Sequence, residues 1–162
     1  MEYLWTPWRM QYINSNHLCP ENQGCVFCEA IKQPEAFENL VVKRGSQAYV
    51  VLNRFPYNNG HLLVVPYQHV SMLSELSAEI QHEMMDLANL SVTILKELYN
   101  AQGFNLGFNI GSAAGAGIAG HIHMHIIPRW NGDTNFISTI GQTRVLPEEM
   151  TETYNKLKMA FE

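Results

Sequence analysis

The sequence predicts an α+β fold, a mostly antiparallel sheet backed by helices, on three observations. Short apolar runs sit close together across tight turns, as at residues 40–44 and 47–52 with Gly45 and Ser46 between them, the pattern of hairpin-joined strands. One long stretch with a 3.6-residue apolar period, Ser77 to about Asn100, stands apart from the strands. A second helical stretch follows from Pro147. A parallel sheet needs a crossover between each pair of strands, and this order does not supply them.

The elements follow in order. Tyr3, Trp5, Trp8 and Tyr12 surround Pro7 and Arg9, an aromatic segment at about residues 1–18 expected to pack on the rest of the chain. After the first two strands, NRFPYNNG at residues 53–60 reads as a turn or hairpin loop, and HLLVVP at 61–66 as a strand closed by Pro66. The long helix places Ile80, Met84, Leu87, Ser91, Leu95 and Leu98 on one stripe, widened by Ala88, Val92 and Ile94. Met84 and Met85 are expected to fill core, and Gly103 to stop the helix. Residues 104–110 read as a strand, 111–120 as a glycine-rich loop and 121–127 as a strand. The last helix has Glu148 and Glu149 in its first turn and the stripe Met150, Tyr154, Leu157 and Phe161.

A chain of 162 residues is one-domain length, and its 46% hydrophobic content suits a packed core. Its net charge of −5 disfavours a nucleic-acid polymer as partner, because that binding needs a basic face. No apolar run reaches the ~20 residues that span a bilayer, and no basic, apolar leader opens the sequence. The expected compartment is the cytoplasm. Three cysteines, two of them spaced C-x-x-C, argue against a disulfide framework.

The densest chemical signal is GHIHMHIIPRW at residues 120–130. On a strand, a period of two puts His121, His123 and His125 on one face and Ile122, Met124 and Ile126 on the other. Same-face residues lie roughly 7 Å apart, so the outer two histidines are about 13–14 Å apart at Cα. One metal ion cannot draw all three onto a single point, so at least one imidazole is free for other work. Neutral imidazole attacks phosphorus and forms a phosphoramidate labile enough to pass its group onward. Gly111, Gly115, Gly117 and Gly120, with Ser112 and small alanines, let main-chain N–H groups approach an anion.

His121-Ile122-His123-Met124-His125-Ile126-Ile127 resembles the signature of the histidine triad (HIT) superfamily, three histidines each followed by apolar residues. The likeness extends to VLNRFPYNNGHLLVVPYQHVSMLSEL at residues 51–76 and covers about 25–130. It implies one HIT-like domain over 1–162, with its core at about 25–136 and a C-terminal helix at about 147–162. It also implies a five-stranded antiparallel sheet, pairing as a homodimer, and a nucleotide or dinucleoside polyphosphate as substrate. By the same resemblance His123 is the nucleophile that carries the nucleotidyl group, and His125 contacts phosphate and leaving group. Asn53 would hold the ribose and Asn109 the phosphate-bearing part, with Gly115, Ala116, Gly117 and Ile118 of the glycine loop beside the nucleotide. Pro128-Arg129-Trp130-Asn131-Gly132-Asp133-Thr134-Asn135-Phe136 resembles the branch of diadenosine tetraphosphate phosphorylases and fragile-histidine-type hydrolases. Arg129 has two roles open to it, a surface salt bridge or a substrate contact.

Cys25-Val26-Phe27-Cys28 offers two thiols, and a closed zinc site needs two further donors. The resemblance supplies them as His69 and His121, so that a structural Zn2+ takes one triad histidine. Cys19 is expected to be a bystander, His61 a satisfied strand histidine and His82 solvent-exposed. The expected function is cleavage at the α-phosphate of a dinucleoside polyphosphate, by phosphorolysis or hydrolysis. The alternatives are a phosphohydrolase with the triad as metal ligands, and a nucleotide-binding module without turnover.

Overall fold

Ala48–Leu52 and Leu62–Pro66 are apolar and buried along their whole length, and they form inner strands of one sheet. The computed structural model describes residues 24–34, 36–133 and 147–162. The aromatic segment 1–18, Cys19 and Thr134-Asn135-Phe136 lie outside the described residues.

The elements are α1 (Val26–Ala30), β1 (Val41–Arg44), β2 (Ala48–Leu52), β3 (Leu62–Pro66), α2 (Ala78–Tyr99), β4 (Gly103–Phe108), β5 (Met124–Arg129) and α3 (Met150–Ala160), with 3₁₀ turns at Leu73–Glu75 and Ser112–Ala114. The sheet has five strands in the order β1-β2-β3-β5-β4, and every neighbouring pair is antiparallel. The expected α+β architecture is therefore the observed one. The β1–β2 hairpin is held at its turn by Glu83 of α2, whose carboxylate accepts from Ser46 N at 2.5 Å and Gln47 N at 2.7 Å.

Helix α2 begins where Ser77 Oγ accepts from Ile80 N, an N-cap that satisfies a donor the helix cannot. It buries Met84, Leu87, Ala88, Ser91, Ile94 and Leu95 against the sheet. Met85 is 46% exposed, against the core role expected of it, because it is turned ~100° round the helix from Met84. The helix ends at Tyr99, as its apolar period predicts, but not on the expected glycine. Asn100 adopts the left-handed conformation at φ 50° and terminates it, and Gly103 opens β4 instead. Asn can take this role because its short polar side chain tolerates positive φ. Helix α3 buries Tyr154 and Leu157, and Phe161 follows into the same core. Its Tyr154 hydroxyl donates to Val41 O, and Lys43 Nζ donates to Phe161 O at 2.8 Å. Among the described residues no helix is long and apolar enough to cross a membrane.

Candidate active site

The predicted strand at 121–127 begins three residues later, at Met124, and runs to Arg129. Only His125 of the three histidines lies on the paired strand, opposite Leu63 of β3 and Gly107 of β4. His121 and His123 occupy the approach to it, held where Ile122 N donates to Val70 O at 2.7 Å. Leaving the ladder frees each imidazole to meet a different partner. All three are nonetheless buried, at 0%, 5% and 8% exposure for His121, His123 and His125.

His123 turns its Nδ1 to the main-chain oxygen of His121 at 2.9 Å. A carbonyl only accepts, so Nδ1 carries the proton and Nε2 keeps its lone pair. Phe27 of α1 packs its ring 5.0 Å from the His123 ring. Burial pushes His123 below the ordinary histidine value, and the bond to His121 O opposes this.

His125 belongs to a hydrogen-bonded chain whose direction is set by a main-chain amide. Tyr57 N donates to Nδ1 of His61 at 3.0 Å, so neutral His61 holds its proton on Nε2. That Nε2 donates to Nδ1 of His125 at 2.9 Å, which leaves neutral His125 protonated on Nε2. Nε2 of His125 faces the side-chain amide of Asn109, whose Nδ2 stands at 3.4 Å; with that amide turned over, its oxygen accepts from Nε2–H. Asn53 Nδ2 lies 3.2 Å from Nδ1 of His61. Burial first, and His123 second, lower His125 to about 4. His61 is buried with both ring nitrogens hydrogen-bonded, the satisfied histidine that was expected, and what the sequence reading missed is that its partner is His125. The signal is the strand register: Leu63 opposes His125, so His61 is its diagonal neighbour on the same face, within reach of a ring.

The second constellation gathers Cys25, Cys28, His69 and His121, whose ligand atoms all lie within 4.8 Å of one another. Nδ1 of His121 lies 3.4 Å from Cys25 Sγ and 3.6 Å from Cys28 Sγ, and Nδ1 of His69 lies 3.3 Å from Cys28 Sγ. Tetrahedral zinc with ordinary Zn–S and Zn–N bonds has S···N edges of about 3.6 Å. His121 Nε2 donates to Pro66 O at 2.9 Å, which fixes the tautomer with its Nδ1 lone pair turned to the thiols. The donor set and its spacing fit a zinc ion. Burial, then the neighbouring Cys25, pushes the Cys28 thiol up to about 11, so a cation is what would hold that sulfur as a thiolate.

The HIT domain family matches residues 33–132 of this chain. The chain belongs to the HIT family. An AP-4-A phosphorylase of Mycobacterium tuberculosis is 40% identical over 158 residues, covering 94% of this chain and 80% of the relative. A Zn-bound histidine triad family protein from Mycobacterium smegmatis superposes with a TM-score of 0.67 at 28% identity, covering 85% of this chain and 93% of the other. A hypothetical histidine triad nucleotide-binding protein from Sulfolobus tokodaii superposes equally well, with a TM-score of 0.67 at 27% identity and coverage of 85% and 91%.

Two further features of this HIT protein bear on how it would hold an anion. In the glycine loop, Gly111 and Gly115 take positive φ of 79° and 85°, a conformation suited to glycine. The amides of Ala114, Gly115 and Ala116 donate to oxygens of Gly111 and Ser112. Those three amides close the turn, and donors for an anion must come from elsewhere in the loop. Arg129 is engaged as well. Its Nε and Nη2 donate to the two carboxylate oxygens of Asp133 at 2.6 and 2.8 Å, and its Nη1 donates to Asn105 at 2.7 Å. Of its two expected roles, the structure displays the salt bridge. His82 is exposed on α2 beside Asp86, as expected.

Proposed function

We propose that this protein transfers a nucleotidyl group from a dinucleoside polyphosphate, diadenosine tetraphosphate foremost, through a covalent bond to His123. The observation that carries the reading is the Nδ1 bond of His123 to the His121 carbonyl, which leaves an unprotonated Nε2 in a buried site. That nitrogen attacks the α-phosphorus; the P–N bond forms as the P–O bond to the bridging oxygen breaks. The bridging oxygen takes the proton on Nε2 of His125, and the leaving group departs as ATP. The acceptor then attacks the adenylylated His123 and returns a proton to His125. Phosphate as acceptor yields ADP, and water yields AMP. Phosphate is preferred here because the relative at 40% identity is an AP-4-A phosphorylase. Asn53 is assigned to the ribose, Asn109 to the phosphate chain, and Gly115, Ala116, Gly117 and Ile118 to the wall of the nucleotide pocket.

Zinc at Cys25, Cys28, His69 and His121 completes the reading as a structural ion. When bound it supplies a cross-link between α1, the segment after β3 and the first triad histidine. Only His121 of the triad joins that cluster, which disfavours the triad as a shared metal site. The same reading places the protein in the cytoplasm as one domain over 1–162 and as a homodimer. The edge strand β4, with Leu106 43% exposed, offers an apolar border for pairing.

The test is rapid quench with labelled diadenosine tetraphosphate. Wild type should trap an acid-labile, base-stable adenylyl group on His123, and His123→Ala should bind nucleotide without turnover. Label on a serine or cysteine, or near-normal rates in His123→Ala, would overturn the reading. A nucleotide-binding module without chemistry would trap nothing and turn over no dinucleotide.

A further inference from the structure

The segment between Asn53 and His61 supplies no reacting group, yet it touches the chemistry twice through Tyr57. The Tyr57 amide donates to Nδ1 of His61. The Tyr57 ring lies nearly parallel to the His125 imidazole, with centroids 5.8 Å apart and planes inclined by 13°. A peptide N–H is a donor in every protonation state of its neighbours, so it is the fixed end of the Tyr57–His61–His125 chain. Moving Tyr57 would let His61 take either tautomer or turn its ring, and His125 with it.

The next residue ties that segment down. Nδ2 of Asn58 donates to Pro128 O and to Oδ2 of Asp133, both at 3.0 Å. Asp133 also accepts from Nε and Nη2 of Arg129 and from Trp130 N. Its side chain is only 11% exposed, where a charge-assisted bond is worth more than at the open surface. Pro128 and Arg129 close β5, the strand that carries His125. The loop that orients His125 is thus fastened to the end of the strand bearing it.

We propose that Asp133 is a positioning residue for the transfer: through Asn58 it holds Tyr57 against the His61–His125 pair and so keeps His125 with Nε2–H presented to the leaving oxygen. The proposal rests on the acid role assigned to His125. It gives Arg129 a purpose other than substrate binding, since the guanidinium orients the Asp133 carboxylate that accepts from Asn58.

The test is imidazole 15N NMR of the full chain, paired with steady-state kinetics on diadenosine tetraphosphate. In wild type, His125 should report an unprotonated Nδ1 and a protonated Nε2. In Asn58→Ala both shifts should move toward those of a free imidazole, while kcat falls about tenfold and KM stays within about twofold. Asp133→Ala should do the same, and Asp133→Asn, which keeps one oxygen to accept from Asn58, should stay closer to wild type. If Asn58→Ala does not fold, the two Asp133 variants make the same comparison. Unmoved His125 shifts in a folded Asn58 or Asp133 variant would overturn the proposal, even if turnover drops. The NMR arm needs no substrate, so it stands or falls apart from the trapping experiment at His123.

Discussion

Nε2 of His61 lies 2.9 Å from Nδ1 of His125, and that contact brings the histidine just before β3 into the candidate site. His61→Phe keeps an aromatic ring there but leaves a buried acceptor without its donor, at a cost of about 1–3 kcal/mol. We expect kcat to fall ten- to a hundredfold or so, with KM nearly unchanged. Steady-state kinetics decide it, and an unchanged kcat would return His61 to a packing role.

The pH dependence follows from burial. His125 is held at about 4 and His123 below the ordinary value of 6.5. Both are therefore neutral in the folded protein over a range in which an unfolded histidine takes up a proton. Unfolding binds protons in that window, so their contribution to stability is present above about pH 6.5 and is lost as pH falls toward about 4. The acid limb of kcat/KM should likewise lie below 6.5. No phosphate of diadenosine tetraphosphate is terminal, so the substrate adds no ionisation near neutrality. A limb at or above pH 6.5 would contradict the buried, neutral nucleophile.

Elemental analysis of protein purified without added metal should find about one zinc per chain. A site of four protein ligands contributes to folding directly, on the order of 10 kcal/mol in small zinc modules and less where a separate core exists. Cys28→Ser should thus lower the melting temperature by several degrees and reduce turnover less in the fraction that stays folded. Active, undamaged protein with far less than one equivalent of zinc would refute the assignment.

The acceptor is decided by products. With millimolar phosphate, diadenosine tetraphosphate should yield ADP and ATP. AMP and ATP in the same ratio with and without phosphate would identify a hydrolase. Because Arg129 is bound to Asp133 and Asn105, its replacement should not selectively weaken phosphate as acceptor relative to water.

Much of this was legible in the sequence because it is local. Short apolar runs bounded by turn residues located the five strands, and a 3.6-residue period the two longer helices, since both signals need only neighbours along the chain. The stop of α2 differs because another local residue competes successfully: Asn100 takes the left-handed cap before Gly103 is reached. Met85 departs from its expected core role because, at ~100° per residue, it falls outside the arc that Met84, Leu87, Ala88, Ser91, Ile94 and Leu95 bury. The kinds of group available, three alternating histidines and a C-x-x-C pair, were likewise readable. Together with the resemblance to the histidine triad superfamily, they suggested both nucleotidyl chemistry and zinc.

What only the tertiary structure decided is which nitrogen of each imidazole bears the proton, and which histidines act together. His121 receives its direction from Pro66, 55 residues away, and His125 from His61, 64 residues away. A tautomer is chosen by the donor or acceptor placed against the other ring nitrogen. Sequence spacing does not encode that partner when strand pairing and register bring it from elsewhere in the chain. The residue types determined what chemistry was available; the pairing of His61 with His125 across the sheet, beside the local bond of His123 to His121 O, determined which ring nitrogens carry protons.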